Sequence, residues 1–194
     1  GVLAQLRPTL TAREDKPLLV SMAAGVTIAA IEQAVPGSAV VRIMPNTACA
    51  VGAGLTLYDA NSAVTGQQLD TFLHDMAASG RLEALPEELI DAGSAVSGCG
   101  PAYVYLFLDA LANGGVACGL RYDQALALAA QTLIGAAGTA LTSGKHPGKL
   151  QAEVCSPAGT TIAGVRTLEQ RGFRAAAMDA VIAAYERTKE LAGD

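Results

Sequence analysis

The run from Pro101 to Leu120 is apolar on nearly every face, interrupted only by Asp109, Asn113 and three glycines. A helix with no polar side belongs in a core or between subunits. The interruptions speak against a membrane span, which needs about 20 consecutive, predominantly apolar residues. Composition points the same way. Of 194 residues, 51% are hydrophobic and 16% charged, which excludes disorder and exceeds what one small globule must hide. A subunit interface is therefore expected.

The remaining bulk properties exclude several classes. A net charge of −5, from 13 basic and 18 acidic residues, offers nothing to neutralise a phosphate backbone or an anionic membrane surface, so neither nucleic acid nor membrane is expected as a partner. Aromatic residues are 4% and Trp is absent, which removes base stacking as well. Cys49, Cys99, Cys118 and Cys155 are far apart with no C-x-x-C pair, the pattern of free thiols in a reducing cytoplasm. No basic-then-apolar leader begins the chain, so no signal peptide is expected. No His, Cys, Asp and Glu cluster has metal-ligand spacing.

Local patterning divides the chain. Val2 to Leu10 has helical character. Leu18 to Met22 is a short apolar run ending in Ala23-Ala24-Gly25, the signature of a buried parallel strand. Thr27 to Val35 has helical spacing, with Thr27 as N-cap and Pro36-Gly37 as stop. Ala39 to Met44 is a second strand, closed by Pro45-Asn46. Together they make one βαβ unit of an open parallel sheet. A single unit cannot complete such a sheet, so its remainder is expected upstream of Gly1. From Thr65 onward the pattern is helical: Gln67 to Ser79, Glu87 to Val96, Pro101 to Leu120, then a long Ala-rich helix capped by Asp123 and ended by Gly144. His146-Pro147 opens a short helix to Val154, Pro157 opens another that Gly172 ends, and Phe173 to Ala192 is the last. The chain is expected to be mostly α.

Chemistry-bearing motifs are few. Val51-Gly52-Ala53-Gly54 lacks the third glycine of a dinucleotide fingerprint and reads as a turn. His74 and His146 sit at surface and turn positions, so a Ser-His-Asp hydrolase is not supported. Val154-Cys155-Ser156-Pro157-Ala158-Gly159-Thr160-Thr161-Ile162 is different. Ser156 is a good N-cap and Pro157 suits the first helical position. The amides that follow point their positive end at small residues, where a carboxylate or phosphate can approach. Thr160 and Thr161 add hydroxyls, although an ordinary capped helix accounts for the same residues. Ser97-Gly98-Cys99-Gly100-Pro101-Ala102-Tyr103 is a second small-residue turn into a helix, equally suited to tight packing or ligand contact.

Taken in order with Ser21 to Thr27, Arg42 to Thr47, His146-Pro147-Gly148 and Gly172-Phe173-Arg174, these segments make the whole chain resemble the pyrroline-5-carboxylate reductases. The resemblance implies a fold class that is mostly α: a C-terminal βαβ remnant of a Rossmann domain over residues 1–46, followed by an all-helical dimerisation and substrate domain over 47–194. It implies NADPH or NADH as cofactor, a homodimer or assembly of dimers, and reduction of the C=N bond of 1-pyrroline-5-carboxylate to L-proline in proline biosynthesis. The iminium already carries its proton, so positioning and electrostatics suffice and no tuned general acid is demanded.

Carried over by position, Ser156, Gly159, Thr160 and Thr161 are expected to hold the substrate carboxylate. Thr161, the catalytic candidate, bonds the ring nitrogen. Glu87 aligns with an acidic position near the substrate. Ala24 lies in the turn facing the nicotinamide, Asn46 in the adjacent turn, and Glu153 where some relatives place a cofactor-contacting asparagine. Ala158 stands where relatives usually carry glycine, a methyl that costs energy if that residue has positive φ. Cys99 replaces a common serine. Two other readings stay open: a catalytically silent helical dimerisation fragment, and another Rossmann-plus-helical-domain dehydrogenase, which would normally place a lysine near Thr161.

Overall fold

The computed structural model describes residues 2–192. They form two compact units: one runs to Pro101 and takes in the end of the chain from Val181, and the other is Ala102–Ala180.

In the first unit Val2–Ala12 (α1) leads to Leu19–Ser21 (β1), Ile28–Ala34 (α2) and Val40–Met44 (β2). β1 and β2 are parallel with Leu19 opposite Val40, so the expected βαβ unit is present. Its cause is apolar burial: Ile28 and Ile31 of α2 pack with Val40, and Leu3, Leu19 and Val26 close the cluster. Thr27 caps α2 as expected, its Oγ1 accepting the Ala30 amide at 3.1 Å.

The sheet does not stop there. Gly54–Ala60 (β3) pairs antiparallel with β2, and Gly80–Ala84 (β4) pairs parallel with β3, giving the order β1-β2-β3-β4. The expected division between residues 46 and 47 therefore falls inside one sheet. Gly52 and Gly54 disguise β3. Only Gly52, with φ of 70°, makes the turn, where it closes a 3-10 segment over Thr47–Val51. Gly54 is strand, and it is glycine because a Cβ there would overlap Cys49. β4 is a polar edge whose Arg81 and Glu83 pair with each other in solvent, so it lacks an apolar stripe. Gly66–Met76 (α3) bridges the two strands, with Thr65 and Gln68 forming a capping box. Its Phe72 is buried against Val41 and Ile43. Glu87–Ser97 (α4) follows β4 and buries Ile90 and Ala95.

Five helices complete the chain: Gly100–Ala117 (α5), Tyr122–Ser143 (α6), Pro147–Val154 (α7), Thr160–Gln170 (α8) and Phe173–Ala192 (α9). Within the second unit, Phe107 stacks on Phe173 at 5.2 Å and the Tyr103 hydroxyl donates to the Ala180 carbonyl. The Tyr122 hydroxyl donates to Asp109 at 2.8 Å, and that bond, with partial desolvation and the Asp109 charge beside it, raises the phenol above its ordinary pKa. Yet α5 buries only Ala112, and α6 only Ala125 and Ala129. Val104, Leu106, Leu128, Ile134 and Leu141 are exposed, so one chain does not supply the burial expected for the Pro101–Leu120 run. By length and composition alone, the stretch Glu87–Ala117 and α6 could each cross a membrane.

Two expected helix starts are corrected. α6 is capped by Arg121, with Asp123 inside the first turn, where it pairs with Arg121 and suits the positive helix end. α8 begins at Thr160 with Gly159 as N-cap, rather than at Pro157 with Ser156 as N-cap. The reason is a tight turn. The Gly159 amide donates back to the Ser156 carbonyl at 3.1 Å, and Ala158 is thrown into the left-handed region with φ of 56°. Among the described residues no other non-glycine has positive φ. Relief of that conformation is worth about 1–2 kcal/mol, while glycine loosens the unfolded chain by about 0.4–1 kcal/mol. Ala158→Gly should therefore stabilise the protein by about 0.5–1 kcal/mol net. The readout is a raised denaturant midpoint with unchanged slope.

Candidate functional site

The two units contribute separate groups of candidate residues. In the second unit, α7 ends at Val154 and the turn Cys155–Gly159 leads into α8. Gly159 is there because a Cβ would overlap the Ser156 hydroxyl and crowd its carbonyl. No side chain caps α8. Among the described residues, the amides of Thr160, Thr161 and Ile162 have no acceptor, and the first backbone bond of the helix runs from Ala163 to Gly159. Thr160 and Thr161 are exposed, as are Ser156 and Ala158. The structure thus brings Ser156, Gly159, Thr160 and Thr161 together at an uncapped helix N-terminus. Such an end concentrates positive potential and donor groups and can hold a small anion. The hydroxyls beside it make no hydrogen bond to other described side chains, so they are available to a heteroatom next to that anion.

Glu153, near the end of α7, is exposed, and both of its oxygens accept from Lys145 Nζ at 2.9 and 2.8 Å. The pair spans α7 from the residue before its His146 cap to its last turn. Glu153 sits at the negative end of α7 and needs a cation nearby.

In the first unit, the carboxyl ends of the parallel strands β1 and β2 lie at one edge of the sheet, the edge where ligands bind in open α/β folds. The turn after β1 carries Ala24. Met22, Ala23, Ala24 and Gly25 are all exposed, and Gly25 has φ of 72° with open space around its Cα. That small, open turn fits the approach of a flat cofactor ring. The turn after β2 carries Asn46, whose side chain joins three segments. Its Oδ1 accepts from the Ala48 and Leu55 amides at 3.2 and 3.3 Å, and its Nδ2 donates to the Ser97 carbonyl at 3.1 Å. Asn46 therefore ties the end of β2 to β3 and to the end of α4, and its second Nδ2 hydrogen and its backbone are left to meet a ligand.

Glu87 is the first residue of α4. Its Oε1 accepts from the Ile28 amide at 2.7 Å and from Arg42 Nη1 at 3.2 Å, while its own amide donates to Asp59 Oδ2 at 2.8 Å. Arg42, only 2% exposed, also reaches Asp91 at 2.8 Å. Arg42, Asp59 and Asp91 go unmarked in the sequence, although a lone cation within Val40-Val41-Arg42-Ile43-Met44 is the visible signal. A buried charge requires partners, and the next acidic helix start supplies them.

Similarity to known proteins identifies the family. Residues 87–191 match the family described as pyrroline-5-carboxylate reductase dimerisation. A pyrroline-5-carboxylate reductase of Pisum sativum is 45% identical over 190 residues, covering 98% of this chain and 68% of that protein. One from Synechocystis is 44% identical over 190 residues, covering 98% and 71%. Among solved structures, the NADP-bound pyrroline carboxylate reductase of Plasmodium falciparum superposes with a TM-score of 0.89 at 33% identity, covering 98% of this chain and 76% of that one. The Coxiella burnetii enzyme gives 0.86 at 37%, covering 98% and 70%. The chain belongs to the pyrroline-5-carboxylate reductase family.

Proposed function

We propose that the protein reduces 1-pyrroline-5-carboxylate to L-proline, with NADPH or NADH as the second substrate. The observation that carries this reading is the uncapped start of α8, with two exposed threonine hydroxyls beside three unaccepted amides, in a member of this family. The substrate is a small ring bearing a carboxylate next to a C=N bond. The amides of Thr160, Thr161 and Ile162 bind the carboxylate, and the Ser156–Gly159 turn keeps bulk away from it. The protonated ring nitrogen donates to Thr161 Oγ1, which orients the C=N bond and favours the protonated, electrophilic form. The nicotinamide cofactor supplies the hydride when bound, and NADP in the Plasmodium relative supports that choice. The turn carrying Ala24 and the backbone at Asn46 would hold its nicotinamide end. Rate enhancement then comes from positioning and fixed dipoles rather than from a titrating residue.

The same reading makes the protein a homo-oligomer. Val104, Leu106, Leu128, Ile134, Leu141 and Met178 are exposed within the region matched to the dimerisation family, and a second copy is what covers them. A reducing cytoplasm suits the four cysteines, none of which forms a disulfide.

Substrate-dependent NADPH oxidation by the chain, and by a form extended upstream of Gly1, tests the activity; its absence from both would sink the reading. In the active form, Thr161→Val should lower kcat by about tenfold or more with circular dichroism unchanged, because only the ring-nitrogen contact is lost. Sedimentation should give a dimer or larger. Introducing Leu106→Asp together with Ile134→Asp should shift it toward monomer, since each buried carboxylate would cost roughly several kcal/mol unless the interface opens.

A further inference from the structure

We propose that Glu87 and Arg42 are positioning residues for the turn between β1 and α2, and that Glu87 acts on the reaction through that turn rather than by touching substrate. The proposal rests on the reading of this turn as the place where the nicotinamide cofactor is held.

The first amides of a helix have no partner within it. In α2, Thr27 Oγ1 takes the Ala30 amide and leaves that of Ile28. The acceptor for Ile28 comes from 59 residues away: Glu87 Oε1, at 2.7 Å. A carboxylate there is favoured by the positive end of α2, and a remote acceptor fixes where that end sits. Glu87 cannot drift, because its amide is bonded to Asp59 of β3 and its carboxylate to Arg42 of β2. Arg42 is in turn braced by Asp91, one helical turn further along α4. The start of α2 is thereby pinned to β2, β3 and α4 at once. At the other end, the turn is held by β1, paired with β2. Between these fixed ends, Met22, Ala23, Ala24 and Gly25 face solvent without burial to hold them. The turn closes on itself through the Val26 amide on the Ala23 carbonyl at 3.3 Å and the Ala23 amide on the Ser21 hydroxyl at 3.4 Å, and the Glu87–Ile28 bond is what ties its far end to α4.

The tests use the full-length protein. Glu87→Ala should raise both the Kd and the KM for NADPH about tenfold, with kcat at saturating cofactor and the KM for the imino acid changed less than about twofold. Glu87→Gln keeps an oxygen that can accept the Ile28 amide, so it should restore most of the cofactor affinity. In hydrogen exchange, the Ile28 amide should exchange faster in Glu87→Ala than in the wild type, with Glu87→Gln between them. A rise in imino-acid KM with cofactor affinity unchanged would overturn the proposal in favour of direct substrate contact. A lowered Tm with both affinities unchanged would reduce the cluster to a structural one. If the wild type neither binds nor oxidises NADPH while Ile28 exchange responds as expected, the cofactor reading has failed and the clamp has not. Unchanged Ile28 exchange in Glu87→Ala removes the clamp itself.

Discussion

A guanidinium buried to within 2% of full exclusion from solvent organises the first unit. Desolvating Arg42 costs several kcal/mol, which only close, well-directed carboxylates offset; removing one partner from such a cluster typically costs about 3–5 kcal/mol. The carboxylates come from Glu87 and Asp91, so α4 must lie over β2 with its first turns facing Arg42. That placement in turn brings Glu87 to the start of α2 and Asp59 of β3 to the Glu87 amide. Alternative sheet pairings would strand the cation. Arg42 Nε is buried without an acceptor, so the guanidinium is set by the carboxylates of α4 rather than by every group it could satisfy. The cluster confers specificity of arrangement more than net stability.

The helical unit follows the opposite logic. It has almost no buried apolar side chain among the described residues of α5 and α6, and no charged cluster to organise it. Its internal ties include a ring stack, two tyrosine hydrogen bonds, ion pairs such as Lys145–Glu153, and caps at His146, Gly144 and Gly172. Helices of this length and hydrophobicity form readily, but what they bury is decided by a second surface. The strained Ala158 sits in this unit, in the turn before the uncapped start of α8. A left-handed non-glycine residue there keeps the turn tight and moves the first free amide to Thr160.

Most of the elements were legible because their signals are local. Thr27 caps α2 and apolar runs of strand length flank it, so the βαβ unit can be read from side-chain chemistry alone. β3 and β4 were not legible. Gly54 mimics a turn residue while serving a close backbone approach, and β4 is an exposed edge whose charges pair with each other. The geometry around the candidate residues was not legible. Ser156 and Pro157 form a convincing helix start by composition, and only the return bond from Gly159 to Ser156 shows that the helix waits for Thr160. Asn46 reads as part of the turn that closes β2, and the structure adds that its side chain ties Ala48, Leu55 and Ser97 together.

By itself, then, the sequence determined the βαβ unit, the succession of helices that follows, the family resemblance and the small-residue, hydroxyl-bearing character of the segment at Ser156–Thr161. These depend on neighbours a few residues apart, and a chain carries that information directly. Tertiary structure alone decided that the sheet runs on past Asn46, that Glu87 reaches back 59 residues to Ile28, and that Arg42 has two carboxylates to meet it. Those outcomes are settled by desolvation: a buried charge or an orphaned amide must find a partner wherever the fold brings one, and no local pattern records where that will be.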